Sequence, residues 1–283
     1  MKKTLYAVIV VITALYVYGC GPTKELTSHW SGDKIKVDGN QEDWEKKLNY
    51  DSDEGIAYGF CNDDSNLYVC LTTGNRQRIF QIIRAGFIVW FEPVNTDGKM
   101  IGIKYPVGVT EFSEGQPENE ERNPDDQNRM ENRITEMINN LQVQQNEFLI
   151  MNKEKFPLTA YPFQNKVGID IKVGYHLGQF VYEMKIPLKG MNENEYGVYA
   201  NPGDIVKVGF QTEEFERSNF GDRGSGMGGE RPEGGFGGFG GRGGMGGGRG
   251  MDRGNAPQQL KQLDYWVKLN LLKNADEVNA GKN

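Results

Sequence analysis

The chain has 283 residues, a formal charge of −7 from 39 acidic and 32 basic side chains, and three cysteines. That length allows one large β domain or two small ones and is enough to bury a proper core. An acidic chain is poorly suited to holding nucleic acid or an anionic membrane through bulk charge. With two histidines and no Cys/His cluster, a zinc site has no support either.

Met1-Lys2-Lys3 is a positive start, Leu5 to Tyr18 is almost wholly apolar, and Gly19 sets a small residue directly before Cys20. This pattern describes a secretory signal peptide over 1–19, and the apolar run falls short of the about 20 residues of a membrane span. With cysteine after the cut and Gly21-Pro22 breaking the chain, the segment resembles a bacterial lipoprotein signal. The resemblance implies lipidation of Cys20 and anchoring in the cell envelope. The outer membrane is the expected site, with the protein facing the periplasm or the cell surface. Loss of Lys2 and Lys3 with the signal moves the formal charge from −7 to −9, so tethering rests on the lipid. Two or three acyl chains hold firmly where one is marginal. Residues 20–33 read as a lipidated tether containing His29 and Trp30.

Strand signals follow. Ile35-Lys36-Val37 alternates before the turn dipeptide Asp38-Gly39. Ile56–Phe60 and Leu67–Leu71 read as strands joined by Asn62-Asp63-Asp64-Ser65-Asn66. Cys61 and Cys70 flank that turn; two buried free thiols are the plainer expectation, with a disulfide left open. Phe80–Phe91 is apolar and β-branched or aromatic, as suits one long strand buried on both faces. Asp97-Gly98 then turns the chain into a partner strand at Met100–Tyr105.

An acidic loop and helix are expected over about 110–145. Asn123-Pro124-Asp125-Asp126 has the character of a helix start. Met130, Ile134, Met137, Ile138 and Leu141 recur on one face of a helix over roughly 125–143. Such a stripe reads as core packing rather than as a ligand groove. Strands resume at Glu147–Met151, Val167–Tyr175, Gln179–Ile186, Asp204–Phe215 and Asp264–Leu271. The second and third form a hairpin around His176-Leu177-Gly178. Residues 221–256 hold 18 of the 38 glycines, too little apolar surface for a core, and read as a disordered loop between paired strands. Its arginines and phenylalanines are compatible with touching an anionic or glycan surface, and export argues against RNA.

Five segments line up in order: IKVDGNQEDW (35–44), NDDSNLYV (62–69), GFIVWFEP (86–93), FVYEMKIPL (180–188) and KVGFQTEEF (207–215). Together they resemble the family 9 carbohydrate-binding modules and their DOMON-like relatives. The resemblance implies a two-sheet, jelly-roll-like, all-β sandwich over 34–283 with one inserted amphipathic helix. It also implies glycan as the ligand, held by aromatic rings, and calcium in some members. Strand number and turn spacing are compatible with a sandwich.

Trp44 and Trp90 read as core. Tyr265 and Trp266 adjoin on the last strand, so one ring must face outward; they are the candidate ligand-binding residues. Asp63 and Asp64 can supply calcium oxygens, but Asn and Asp make ordinary turns and the turn reading is preferred. His176 and Met184 are the residues a haem reading would need, and that reading has little support. Glu213 and Glu214 point to opposite faces of a strand and do not make a catalytic pair. The expectation is a non-catalytic envelope lipoprotein that binds glycan, with no cofactor and no nucleic-acid partner. The alternative is a structural or assembly lipoprotein that binds another envelope protein.

Overall fold

Among the described residues of the computed structural model, thirteen strands, two α-helices and a 3-10 turn at Glu42–Trp44 follow one another. The structure describes residues 23–31, 35–94, 101–108, 126–152, 158–189, 196–213 and 261–274. The signal segment, Cys20, the acidic loop, the Asp97-Gly98 turn, Glu214 and the glycine-rich stretch lie outside these residues. The strands are β1 (Lys24–Thr27), β2 (His29–Trp30), β3 (Asn49–Asp51), β4 (Ile56–Asn62), β5 (Asn66–Thr73), β6 (Phe87–Pro93) and β7 (Ile101–Lys104). They continue with β8 (Glu147–Met151), β9 (Thr159–Pro162), β10 (Asp170–His176), β11 (Gln179–Pro187), β12 (Ile205–Thr212) and β13 (Asp264–Asn270). The helices are α1 (Arg76–Ala85) and α2 (Asp126–Gln144).

Two mixed sheets form a β-sandwich. One has seven strands in the order β1-β13-β12-β6-β7-β8-β9; the other runs β10-β11-β5-β4-β2, with β3 also paired to β4. Alternation assigns the faces. Leu67, Val69 and Leu71 of β5 point between the sheets, as do Phe87, Val89 and Phe91 of β6 and Val206, Val208 and Phe210 of β12. The Phe210 ring stacks at 6.0 Å on Phe60 and 6.1 Å on Phe87, joining the sheets. Helix α2 adds Ile134, Met137, Ile138 and Leu141 to the same core, the face its spacing predicts. The hairpin between β10 and β11 turns at Leu177 and Gly178, both at positive φ.

Two expectations change. Phe80–Phe91 is not one strand but the end of α1, a break at Gly86 and then β6. Ile79, Ile82 and Ile83 are buried at helical spacing, and an all-apolar run does not by itself tell a buried helix from a buried strand. The local signal is the cap: Asn75 Oδ1 accepts from the Gln77 and Arg78 amides at 3.0 and 3.3 Å. Gly86, at φ +89°, ends the helix. Among the described residues the sandwich therefore carries two α-helices, where one was expected.

Within the expected tether, Lys24–Thr27 and His29–Trp30 are strands. Strand β1 pairs in parallel with β13, Lys24 opposite Val267, and β2 pairs in parallel with β4. Ser28 carries the chain from one sheet to the other. Its amide donates to Asn270 O at 3.0 Å and its hydroxyl to Asn62 Oδ1 at 2.5 Å. Two strands this short carry no periodic signal, so only their partners make them visible.

Glu183 points away from the core between the sheets and is nevertheless fully buried. What buries it is the strap formed by residues 35–48.

Candidate functional site

The outward faces of the two sheets are built alike and finished differently. On the six-stranded sheet the strap lies across β4, β5 and β11. It buries Ile35 and Trp44 in a second apolar cluster with Cys61, Tyr68, Cys70 and Val181. Trp44 is 1% exposed and its Nε1 donates to Glu183 Oε1 at 2.7 Å. The Asp38 and Gly39 amides donate to Glu183 Oε2 at 2.9 and 2.6 Å. Gly39 turns at φ +84°, and β4 presents Gly59, where a Cβ would come within 2.7 Å of Lys47 O. Burial pushes the Glu183 carboxyl above its ordinary range, with Trp44 and the two amides opposing that shift. The segment from Ile35 to Trp44 is thus pinned by one carboxylate. Nothing local in FVYEMKIPL marks that glutamate, because its partners are about 140 residues away.

On the seven-stranded sheet, register places Trp266, Gly209, Trp90, Gly102 and Met151 in one row across β13, β12, β6, β7 and β8. The Trp266 indole lies over Gly209, where a Cβ would stand 2.7 Å from three of its carbons. Trp90 covers Gly102 in the same way, at 2.5 Å. Each indole shields the backbone of a neighbouring strand that lacks a side chain. Trp90 is 3% exposed and its Nε1 donates to Gln211 Oε1 at 2.9 Å. It is buried as expected, but on the outward side of the sheet rather than in the core between the sheets. Trp266 is half-buried, and its Nε1 donates to the exposed Asp264 at 2.8 Å. Around these rings stand Lys207, paired with Glu92 at 3.2 Å, and Lys268, paired with Glu25 at 2.5 Å.

Tyr265 and Trp266 do not share a site. Tyr265 points between the sheets, where its hydroxyl meets that of Tyr58 at 2.7 Å and its ring packs edge-on at 5.2 Å. Burial, the Tyr58 hydroxyl and Asp51 together raise its phenol well above the ordinary value. Both residues are half-buried, and of the two it is Trp266 that lies on the outward face of the sheet.

The other candidates are spread out. Asp63 Oδ1 accepts the Ser65 and Asn66 amides at 2.7 and 2.6 Å, and Oδ2 accepts the Tyr68 hydroxyl at 2.9 Å. Its oxygens thus hold the turn. Among the described residues no three His, Cys, Asp or Glu side chains gather where a metal ion could sit. Met184 lies in the core while His176 is exposed at the hairpin end. Glu213 pairs with Lys104 at 2.6 Å. Cys61 and Cys70 are free and buried; burial pushes the Cys61 thiol up to about 12 and raises Cys70 as well.

No family model matches the sequence, and no curated protein does. Among solved structures, the chain is similar to a family 9 carbohydrate-binding module from Caldicellulosiruptor kristjanssonii in complex with glucose. Identity is 10% and the TM-score 0.32, over 69% of this chain and 81% of that one. It is also similar to a module of the same family and organism in complex with cellotriose, at 11% identity and a TM-score of 0.33. That match spans 69% of this chain and 79% of the other.

Proposed function

We propose that this chain is a non-catalytic envelope lipoprotein that binds glycan on the outward face of its seven-stranded sheet, with Trp266 as the stacking platform. One observation carries the reading: the half-buried Trp266 indole is held flat over Gly209, its Nε1 is tied to Asp264, and charged side chains border it. An indole face suits the C–H face of a pyranose ring, and flanking carboxylates and amines suit its hydroxyls. The resemblance of the five sequence segments to sugar-binding modules points the same way. Tyr265 serves the site indirectly, by fixing β13 through Tyr58.

Anchoring is through lipid on Cys20. Strand β1 begins four positions later, a reach of roughly 14 Å when extended, so the sandwich sits close to the membrane rather than on a long stalk. Cys20→Ser should release the protein from the membrane fraction.

Electrophoresis through gels containing polysaccharides tests the ligand. Retardation by at least one polysaccharide, lost in Trp266→Ala and kept in Tyr265→Phe, is the expected result. No retardation by any polysaccharide, or retardation that survives Trp266→Ala, overturns the assignment. Stoichiometric co-purification of an envelope protein, with no sugar bound, would replace it with an assembly role.

A further inference from the structure

The other sheet carries a concavity of its own. A groove of about 500 Å³ opens on the outward face of the six-stranded sheet, between the strap and the chain just after β9. That volume falls in the range of small-ligand sites, about 300–1,000 Å³. Ile35, Val37 and Phe163 give it apolar surface. Its rim is polar, with Gln164, Lys172 and the ion-paired Lys185 and Asp170.

The walls are fixed before any ligand arrives. The strap is held by the Lys36 amide donating to Asp43 at 2.9 Å and by the Glu183 bonds already described. Phe163 packs edge-on against Tyr105 at 4.9 Å. Tyr68, which also lines the groove, has its hydroxyl on Asp63.

Charge selects the occupant. Among the described residues that line it, two ammonium groups, on Lys172 and Lys185, stand against one carboxylate, on Asp170. Lys185 answers Asp170, while Lys172 is exposed and has no ion-pair partner among the described residues. An unanswered ammonium beside apolar side chains and a side-chain amide suits a ligand that joins a carboxylate to a hydroxylated ring. We propose that this groove binds a short acidic saccharide, its uronate carboxylate on Lys172 and its ring between Val37 and Phe163. The site is distinct from the Trp266 face and stands or falls separately from it.

Isothermal titration of the full-length, detergent-solubilised protein with digalacturonate and with the neutral disaccharide galactobiose tests the assignment. Digalacturonate should bind, at least tenfold more tightly than galactobiose, and Lys172→Gln should weaken it at least tenfold. Trp266→Ala should leave that binding unchanged, which separates this site from the one proposed above. Lys172 is exposed, so its replacement should leave the melting temperature in place. No binding of digalacturonate, equal binding of galactobiose, or an unaffected Lys172→Gln variant overturns the proposal. So does displacement by an equal concentration of inorganic phosphate, which would mark a plain anion site.

Discussion

Trp44 and Trp266 stand on the outward faces of opposite sheets, and both lean on a strand glycine. The first is sealed by its own chain: it caps Gly59, gives its Nε1 to the buried Glu183 and is 1% exposed. The second caps Gly209, gives its Nε1 to the exposed Asp264 and keeps part of its ring in solvent. Trp44 comes from a 3-10 turn of the strap and Trp266 from β13, but what separates them most is what covers them. A tryptophan whose polar end is answered inside the protein contributes to stability. One whose polar end is answered at the rim leaves a face free for a ligand.

The largest expected effect is on the sealed side. Trp44→Ala removes a buried indole, at a cost of about 3–5 kcal/mol, and also strips a partner from a buried carboxylate. Thermal unfolding followed by circular dichroism should show a fall of at least ten degrees; a fall of only a degree or two would mean the strap is not part of the cooperative core. Glu183→Ala leaves the Trp44, Asp38 and Gly39 donors unanswered. Each buried unsatisfied group costs about 1–3 kcal/mol, so the loss should approach that of Trp44→Ala. Glu183→Gln should fall between that variant and the unaltered protein, since one amide oxygen cannot accept everything the carboxylate does.

A pH series sharpens the same point. Burial holds the Glu183 carboxyl above its ordinary value of 4.5 in the folded chain. The unfolded chain releases that proton first, so this group's contribution is greatest below the ordinary value and is lost as pH rises through the raised one. Melting temperatures measured across that window should decline with a slope that disappears in Glu183→Gln. A slope shared by both proteins would assign it to other groups.

Effects on the rim side should be smaller in stability and larger in binding. Gly209→Ala drives a Cβ into the Trp266 ring and should cost about 1–3 kcal/mol, while changing the tryptophan fluorescence and weakening glycan retardation. Unchanged fluorescence would show that the indole does not rest on this glycine in solution. The smallest effect concerns the thiols. In a chain beginning after Cys20, iodoacetamide at neutral pH should modify neither Cys61 nor Cys70 until denaturant is added, because burial disfavours both thiolates. Rapid alkylation of the folded chain would contradict their burial.

Much of the strand pattern was legible in the sequence. Leu67-Tyr68-Val69-Cys70-Leu71 alternates and forms β5, and Ile134 to Leu141 shows helical spacing and packs α2 on the core. Failures came where local pattern is silent or two-valued. Ile79 to Ile83 suits a buried helix as well as a buried strand, and Lys24 to Trp30 becomes strand only because Val267–Asn270 and Cys61-Asn62 are there to pair with it. Of the candidate site, alternation foretold that Tyr265 and Trp266 face opposite ways. It could not say which ring faces solvent, since that depends on which face of β13 lies against Tyr58.

The sequence by itself determined most strands of the core, because period-two alternation is a property of neighbouring residues, and its five segments carried the resemblance that implies a sandwich. It also determined the signal-like start, the acidic balance and the glycine-rich stretch. The tertiary structure alone decided the pinning of the strap by Glu183, the tiling of Trp266 and Trp90 on glycines two strands apart, and the groove beside Lys172. Each of these depends on residues far apart in the chain meeting across a register or a sheet face, and no local pattern encodes such a meeting.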